Sequence, residues 1–383
     1  MHICFITSEF PKSGFPHGGV GTFVATLGKS LTENGIKVSV IGLNYTSNEE
    51  KEIINDIAVY RLTPKKVKGL QWLFNSRAIS KKIEAVHKEN PIDFVETPEL
   101  GMAFLSKIKG IEYIIRMHGG HHYFAKAENR SVEWWKAFQE KRSFKKADHI
   151  IAVSKYVSET TRTLLGLGEK PIEVIFNPID TNKFFNATNE KTVPHTILFA
   201  GSIVEKKGIR QLVESMEYLI EEFPDIHLLI AGRGGNFPGT KVPYMPELEK
   251  TITSKIKPYI TFLGVVPNDE MPQVIATSHI CCYPSHMEAM PVAWLEVLAM
   301  GKIFVGSTAG PGPEAVIDNV TGVLANPHSP EDIAKKIKWV LEHSDESKAM
   351  GQNARTDISK RFGIEVIVNQ NIEFFKSLLY KKI

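Results

Sequence analysis

Short apolar runs alternate with helix-length amphipathic stretches along almost the whole chain. In the first half, apolar runs at residues 2–7, 37–43, 57–62, 92–96, 113–118, 149–153 and 173–177 predict strands. Stretches at 22–34, 70–89 and 131–146 predict helices between them. Several of the runs are apolar throughout rather than alternating, the pattern of strands covered by helices on both faces of a parallel sheet. A polar, proline-bearing stretch without a period, 181–195, predicts a linker. The alternation then restarts, with strands expected at 196–200, 226–231, 260–263, 279–283, 303–306 and 322–325. Helices are expected near 207–222, 270–278, 291–300, 330–342 and 347–361.

The chain therefore reads as one architecture used twice, an α/β doubly wound parallel sheet in each half. The expected domains are 1–180 and 196–363. A last helix begins at 364, within 364–383, and is apolar over much of its surface, so it is expected to cross back and pack on the first domain. The 383 residues, 43% hydrophobic and 23% charged, suit two globular domains with real cores. No apolar run approaches the roughly 20 residues that span a bilayer. Residues 1–7 lack the basic segment and apolar core of a signal peptide and read as a buried strand, which points to a cytoplasmic protein. The three cysteines, Cys4 and the adjacent Cys281 and Cys282, argue for a reducing compartment, because neighbours in a strand point to opposite faces. Neither a zinc-like spacing nor a nucleic-acid partner is indicated.

Charge adds one feature. Residues 1–180 carry 25 Lys/Arg against 20 Asp/Glu, while the rest carries 21 against 23. From Arg61 to Lys88 there are eight basic residues and one acid, Glu84, with Trp72 and Phe74 among them. A solvated helix face is the commoner account of such a segment. Contact with an anionic membrane at the inner face is the sharper one.

In open parallel sheets, ligands bind beyond the carboxyl ends of the strands. After the first strand come Gly14, Gly18, Gly19 and Gly21, opening into a helix whose amino terminus favours an anion. The spacing is not GxGxxG, which disfavours a nicotinamide dehydrogenase. The richest stretch runs from Tyr283 to Pro327. Glu288, Ala289, Met290 and Pro291 precede a helix containing Glu296, and Pro291 is expected as its first residue. The amides around Met290 and the helix dipole suit a diphosphate, and the two acids suit sugar and ribose hydroxyls. A second turn, Gly310-Pro311-Gly312-Pro313, leads to Glu314.

Glu288 and Glu296 reproduce the E-x7-E spacing of family-4 retaining glycosyltransferases with the GT-B fold. The run PSHMEAMPVAWLEVLAMGK, then GPGPEAV and TGVLANP, resembles that family's nucleotide-sugar site. Gly18-Gly19-Val20 is similar to its first glycine loop, and Arg116-Met117-His118-Gly119 to its histidine motif. Lys206-Lys207-Gly208 stands where the family has a Lys-Gly pair. The resemblance implies two Rossmann-like domains facing across a cleft. It also implies a nucleotide diphosphate-sugar donor and a glycan or lipid-linked acceptor, as in surface polysaccharide synthesis, with no cofactor or metal. Lys207, helped by Lys206, and the Met290-region amides would hold the diphosphate. Glu296 would hold the ribose and Glu288 the sugar, with Glu314 assisting; His118, Gly18 and Gly19 would come from the first domain. The loops at 10–17 and 233–245 would choose base, sugar and acceptor.

Three departures stand out. Ser202 occupies the place of the usual arginine. The usual Glu-Gly-Phe-Gly is Glu288-Ala289-Met290-Pro291, and Pro311-Gly312 sits within the usual Gly-Gly-x-Pro-Glu turn. A GT-B sugar-nucleotide epimerase and a non-catalytic sugar-nucleotide scaffold are the rival readings.

Overall fold

The computed structural model describes residues 1–15, 18–184 and 191–380. The chain divides into two units: Met1–Pro178 with the segment from Ile364 onward, and Ile179–Gly363. Residues 185–190 of the expected linker, and Pro16 and His17 of the first glycine loop, lie outside the described residues.

The first unit runs β1 (His2–Ile6), α1 (Gly19–Glu33), β2 (Lys37–Leu43), β3 (Glu50–Ile54), β4 (Ile57–Leu62), α2 (Gln71–Glu89) and β5 (Phe94–Thr97). It continues with β6 (Glu112–Met117), α3 (His121–Ala127), α4 (Trp134–Lys146), β7 (His149–Ala152), α5 (Lys155–Leu165) and β8 (Glu173–Val174). The sheet order is β3-β4-β2-β1-β5-β6-β7-β8, and every pair is parallel except the β3–β4 hairpin. That hairpin was not expected from the apolar pattern. β3 is a charged edge strand with little to bury, and Asn55 and Asp56, both at positive φ, make its turn. The expected helix at 131–146 begins at Trp134 and is preceded by the separate α3, while α1 begins three residues before its expected start.

The second unit opens with β9 (Thr196–Ala200), a 3-10 turn at Glu205–Lys207, α6 (Ile209–Ser215), β10 (His227–Ala231), α7 (Met245–Thr251) and β11 (Ile260–Gly264). Then come α8 (Met271–Thr277), β12 (Ile280–Cys282), α9 (Val292–Ala299), β13 (Ile303–Ser307), α10 (Gly312–Ala315) and β14 (Val323–Ala325). α11 (Pro330–Glu342) and α12 (Ser344–Arg361) complete it. Its sheet is parallel, in the order β11-β10-β9-β12-β13-β14. The single helix expected at 207–222 instead starts after Gly208, which takes a left-handed φ of 69°, runs as α6 only to Ser215 and tightens into a 3-10 turn at Met216–Tyr218. Other ends follow local chemistry: the Ser154 and Ser329 hydroxyls accept amide hydrogens at the starts of α5 and α11, and left-handed Gly166 closes α5.

A last helix, α13 (Ile364–Tyr380), packs on the first unit. Its Ile367, Val368 and Phe375 enter the same core as Ile3, Phe94 and Ile114. A buried polar link accompanies this packing. The Arg116 guanidinium, with no exposed surface, donates to both oxygens of Glu96 at 2.6 and 3.0 Å and to Asn371 Oδ1 at 2.6 Å. Cys4, Cys281 and Cys282 are all buried and free. Among the described residues no helix is long and apolar enough to cross a membrane.

The Arg116 link makes a graded stability prediction. Glu96→Ala leaves a buried guanidinium without its carboxylate and is expected to cost about 3–5 kcal/mol. Asn371→Ala removes one hydrogen bond to a charged group and is expected to cost about 1.5–3 kcal/mol. Urea unfolding followed by circular dichroism would rank them; equal, negligible losses would show that α13 is held by apolar contacts alone.

Candidate active site

In each sheet the chain leaves the founding strand in one direction and later returns on its other side. The first sheet does this between β1 and β5, the second between β9 and β12. Loops at such a switch point diverge and leave a crevice at the carboxyl ends of the strands.

In the second unit the loops after β9 and β12 are tied together. The His286 amide donates to the Lys206 carbonyl at 2.8 Å. A Cβ on Gly208 would lie 1.8 Å from the Pro284 carbonyl oxygen, so only glycine permits this approach. Across the junction, the Lys207 ammonium donates to Glu288 Oε1. Glu288 is buried, at 9% exposure, and its pairing with Lys207 offsets the cost of holding a charge there. The lysine loop is anchored from behind by Glu205, which accepts from Arg210 at 2.8 Å, Gln211 at 3.0 Å and the buried Tyr244 hydroxyl at 2.5 Å. Burial pushes the Glu205 carboxyl up, but these bonds outweigh it and hold it at about 2.

Beyond Glu288 the chain turns into α9. Pro291 is the residue preceding the helix, with ψ near 118°, rather than its first helical residue as expected. The difference is one position and leaves the first-turn amides at the same end. Ala289 and Met290 are buried. Glu296 lies one turn into α9 and is partly exposed. Burial of its carboxyl raises it to about 7, with Lys183 pulling the other way. The third loop comes close as well: a Cβ on Gly310 would stand 3.5 Å from the Glu288 nitrogen. Glu314 lies in the first turn of α10, and its carbonyl accepts from Arg361 at 2.7 Å. Ser202 is exposed. Lys207, Glu288, the start of α9 and the Gly310 turn thus share one end of the sheet. A groove around His279, Lys302 and Lys348 lies at the opposite end, by the starts of β12 and β13.

In the first unit a small pocket sits at the switch point, lined by Thr7, Val20, Glu96, Thr97, Arg116 and His118. The His118 ring meets Phe23 edge-on at 4.9 Å. Burial, and then the Arg116 charge, push His118 down to about 3, so its imidazole is neutral at ordinary pH. Gly18 precedes α1, and a Cβ there would lie 2.5 Å from Glu9 Oε2. Glu9 thus already places a carboxylate beside that glycine, which the glycine pattern did not reveal. A Cβ on Gly19 would meet open space.

Two further acids escaped the sequence reading. Glu99 follows β5, and Glu140 projects from α4; both are buried. A Cβ on Gly120 would fall 1.7 Å from Glu140 Oε1 and 3.2 Å from Glu99 Cγ. Glu140 Oε2 accepts from the His122 amide at 3.0 Å and contacts the His122 ring at 2.5 Å. Burial raises Glu99 to about 8; nearby Glu140 adds to this, and the amides of Glu99, His118 and Gly119 oppose it. The loop carrying His118 is thus braced by one protonated and one hydrogen-bonded acid. The Pro98-Glu99 step after a strand was the available signal, but nothing local pairs it with Glu140.

Among the described residues no three His, Cys, Asp or Glu side chains gather as a metal-holding group. The groups placed to meet an anion are Lys207 and the first amides of α9.

Glu99 also carries a pH prediction. A carboxyl raised from 4.5 in the unfolded chain to about 8 in the fold makes stability fall as pH rises between those values. Glu99→Gln keeps the protonated shape without the charge. It is expected to melt above wild type at neutral and alkaline pH, with the gap closing toward 4.5. A gap independent of pH in thermal melts would exclude this account.

Residues 17–183 match the family model described as Glycosyltransferase Family 4, and residues 180–357 the model described as Glycosyl transferases group 1. An uncharacterized glycosyltransferase of Methanocaldococcus jannaschii is 25% identical over 401 residues, covering 98% of both chains. Sucrose-phosphate synthase from Thermosynechococcus elongatus superposes with a TM-score of 0.83 at 18% identity over 99% of both chains. HepE from Anabaena, in complex with UDP and glucose, superposes at 0.73 with 19% identity over 98% of this chain and 99% of its own. The structural matches establish the GT-B fold. The two family models follow one another along both doubly wound units, and the chain accordingly belongs to glycosyltransferase family 4, whose members transfer sugars from nucleotide-sugar donors.

Proposed function

We propose that this enzyme is a retaining, metal-independent hexosyltransferase that passes a sugar from a nucleotide diphosphate to a glycan or lipid-linked acceptor. The observation that carries the reading is the junction of Lys207 with Glu288 beside the start of α9. A donor diphosphate placed there meets an ammonium and the amino-terminal end of α9. These counter the charge that grows on the leaving oxygen as its bond to the anomeric carbon breaks. That is the work a divalent cation does elsewhere, and lysine with backbone dipoles can do it. Lys206 and the backbone at Ala289 and Met290 extend the cradle. Glu288 is assigned to the donor sugar and Glu296 to the ribose, with Glu314 assisting.

Retention follows from a front-face displacement. The acceptor oxygen bonds to the anomeric carbon on the face from which the diphosphate departs. The acceptor's proton passes to the departing diphosphate oxygen. No enzyme carboxylate need then serve as nucleophile. In the first unit, neutral His118 is assigned to a sugar hydroxyl, with Gly18 and Gly19 giving close backbone approach.

HepE was solved with UDP and glucose, which supports a uridine nucleotide as the first donor to try. The work is placed in the cytoplasm at the inner membrane face, as part of surface polysaccharide synthesis.

The deciding experiment is a thermal-shift panel of UDP, GDP, ADP and their sugar conjugates, followed by turnover with an acceptor. A ligand bound only by the folded state adds about 2.7 kcal/mol at a hundredfold excess over its dissociation constant. No shift with any nucleotide would refute the donor site.

Lys207→Ala is expected to lower kcat by about 100- to 1000-fold, as loss of one oxyanion donor does. Glu296→Ala is expected to weaken donor binding about tenfold or more, the worth of a hydrogen bond to a charged group. Because Glu296 titrates at about 7, wild-type donor affinity is expected to climb as pH rises through that value, while Glu296→Gln stays flat. Calorimetry across that range checks the sign; a wild-type profile as flat as the variant's would remove Glu296 from the ribose.

A further inference from the structure

The basic, aromatic segment of the sequence takes a sharper form in the fold. Arg61 does not belong to it: its side chain is buried and donates to the Phe10 and Pro11 carbonyls at 3.0 and 2.8 Å. Further along α2, Lys82 and Lys88 are paired with Glu49 and Glu84, each at 2.8 Å. Lys65, Lys66, Lys68 and Arg77 are different. All four are exposed, and among the described residues none has a salt-bridge partner.

Apolar surface gathers at the same end of α2. Leu70 and Phe74 are exposed there, at 45% and 38%. At the start of α4, Trp134 is 75% exposed and Phe138 45%. The rings join across three separate segments: Trp72 meets Phe104 at 4.1 Å, Phe104 stacks on Trp135 at 5.7 Å, and Trp135 stacks on Phe138 at 5.6 Å. Trp134 lies edge-on to Trp135 at 5.5 Å. A continuous set of aromatic rings with outward faces is not an internal core; such patches mark surfaces that meet something. Glu133 is the exposed acid beside it.

Position in the fold adds the second argument. α2 starts from the carboxyl end of β4, Phe104 follows β5, and α4 follows β6 through α3. The patch therefore lies toward the carboxyl ends of the first sheet, the end that also carries the His118 loop.

We propose that this surface, Trp134, Phe138 and Phe74 with Lys65, Lys66 and Lys68, docks the enzyme on an anionic phospholipid bilayer. The rings sit at the boundary between headgroups and acyl chains, where amphipathic aromatics are favoured. The lysines meet lipid phosphates. Charge decides for a bilayer over a glycan stacked on the rings, because uncharged sugar would leave the cationic collar without a role. This deepens the reading of a lipid-linked acceptor: docking by that end of the sheet would present the His118 side to the membrane.

The test is co-sedimentation of the full chain with vesicles of two parts phosphatidylcholine to one part phosphatidylglycerol, against phosphatidylcholine alone, at low and high salt. Wild type is expected to pellet with the anionic vesicles about tenfold more than with neutral ones, and to release at high salt. A Trp134→Ser, Phe138→Ser double variant is expected to lose about tenfold in partitioning with an unchanged circular dichroism spectrum. A Lys65→Gln, Lys66→Gln, Lys68→Gln variant is expected to lose binding and its salt dependence together. Failure of wild type to pellet, or wild-type pelleting by the aromatic variant, overturns the proposal. So does a change of oligomeric state in that variant, or a raised KM for a water-soluble glycan acceptor with vesicle binding intact. Nucleotide thermal shifts read the donor site separately, so loss of membrane docking and loss of the transferase reading are distinguishable.

Discussion

The constraint on which the second unit's site depends is how closely two loops can approach at a switch point. β9 and β12 are neighbours in the sheet although 79 residues, 201–279, separate them, so the loops that leave them meet only in the folded unit. Gly208 sets the distance of that meeting. With any side chain at that position the Pro284 carbonyl would have to move, and with it the loop that carries Glu288. The His286 amide bond to Lys206 and the Lys207–Glu288 pair are then consequences of the approach. They turn two flexible connections into one surface.

The same economy governs the buried charges. Glu205 is fully hydrogen-bonded and stays ionised, which keeps the lysine loop in place. Arg116 is matched by Glu96 and Asn371, and its charge adds to the burial that keeps His118 neutral. Glu99 and Glu296 have weaker compensation, and their carboxyls respond to burial by holding their protons. Groups of this kind, raised into the physiological range, often mark functional positions. In a stable scaffold they persist because the surrounding core supplies the energy that they cost.

Much of the fold was legible in the chain. Continuous apolar runs marked the parallel strands, and α13 announced itself as a helix with apolar residues on too many sides to remain alone. β3 was not legible, because a charged edge strand buries little and leaves no hydrophobic pattern. The early end of α6 was hidden too, since the amphipathic period continues through the 3-10 turn at Met216–Tyr218. The family resemblance named Lys207, Glu288 and Glu296 as candidate site residues, and the fold brings the first two together. The supporting pairs were not legible. Glu205 with Tyr244, and Glu99 with Glu140, are pairs about forty residues apart that no local rule connects.

Alone, then, the sequence determined which segments are strands and helices, that they form two doubly wound units, and which residue types stand after which strands. Those are properties of period, propensity and neighbouring residues, and they act over a few turns of chain. Tertiary structure alone decided which strand ends lie side by side, which acids keep their protons and which aromatic rings join into one exposed face. Those properties depend on distance through space and on exclusion of water, and neither exists until the sheets have closed.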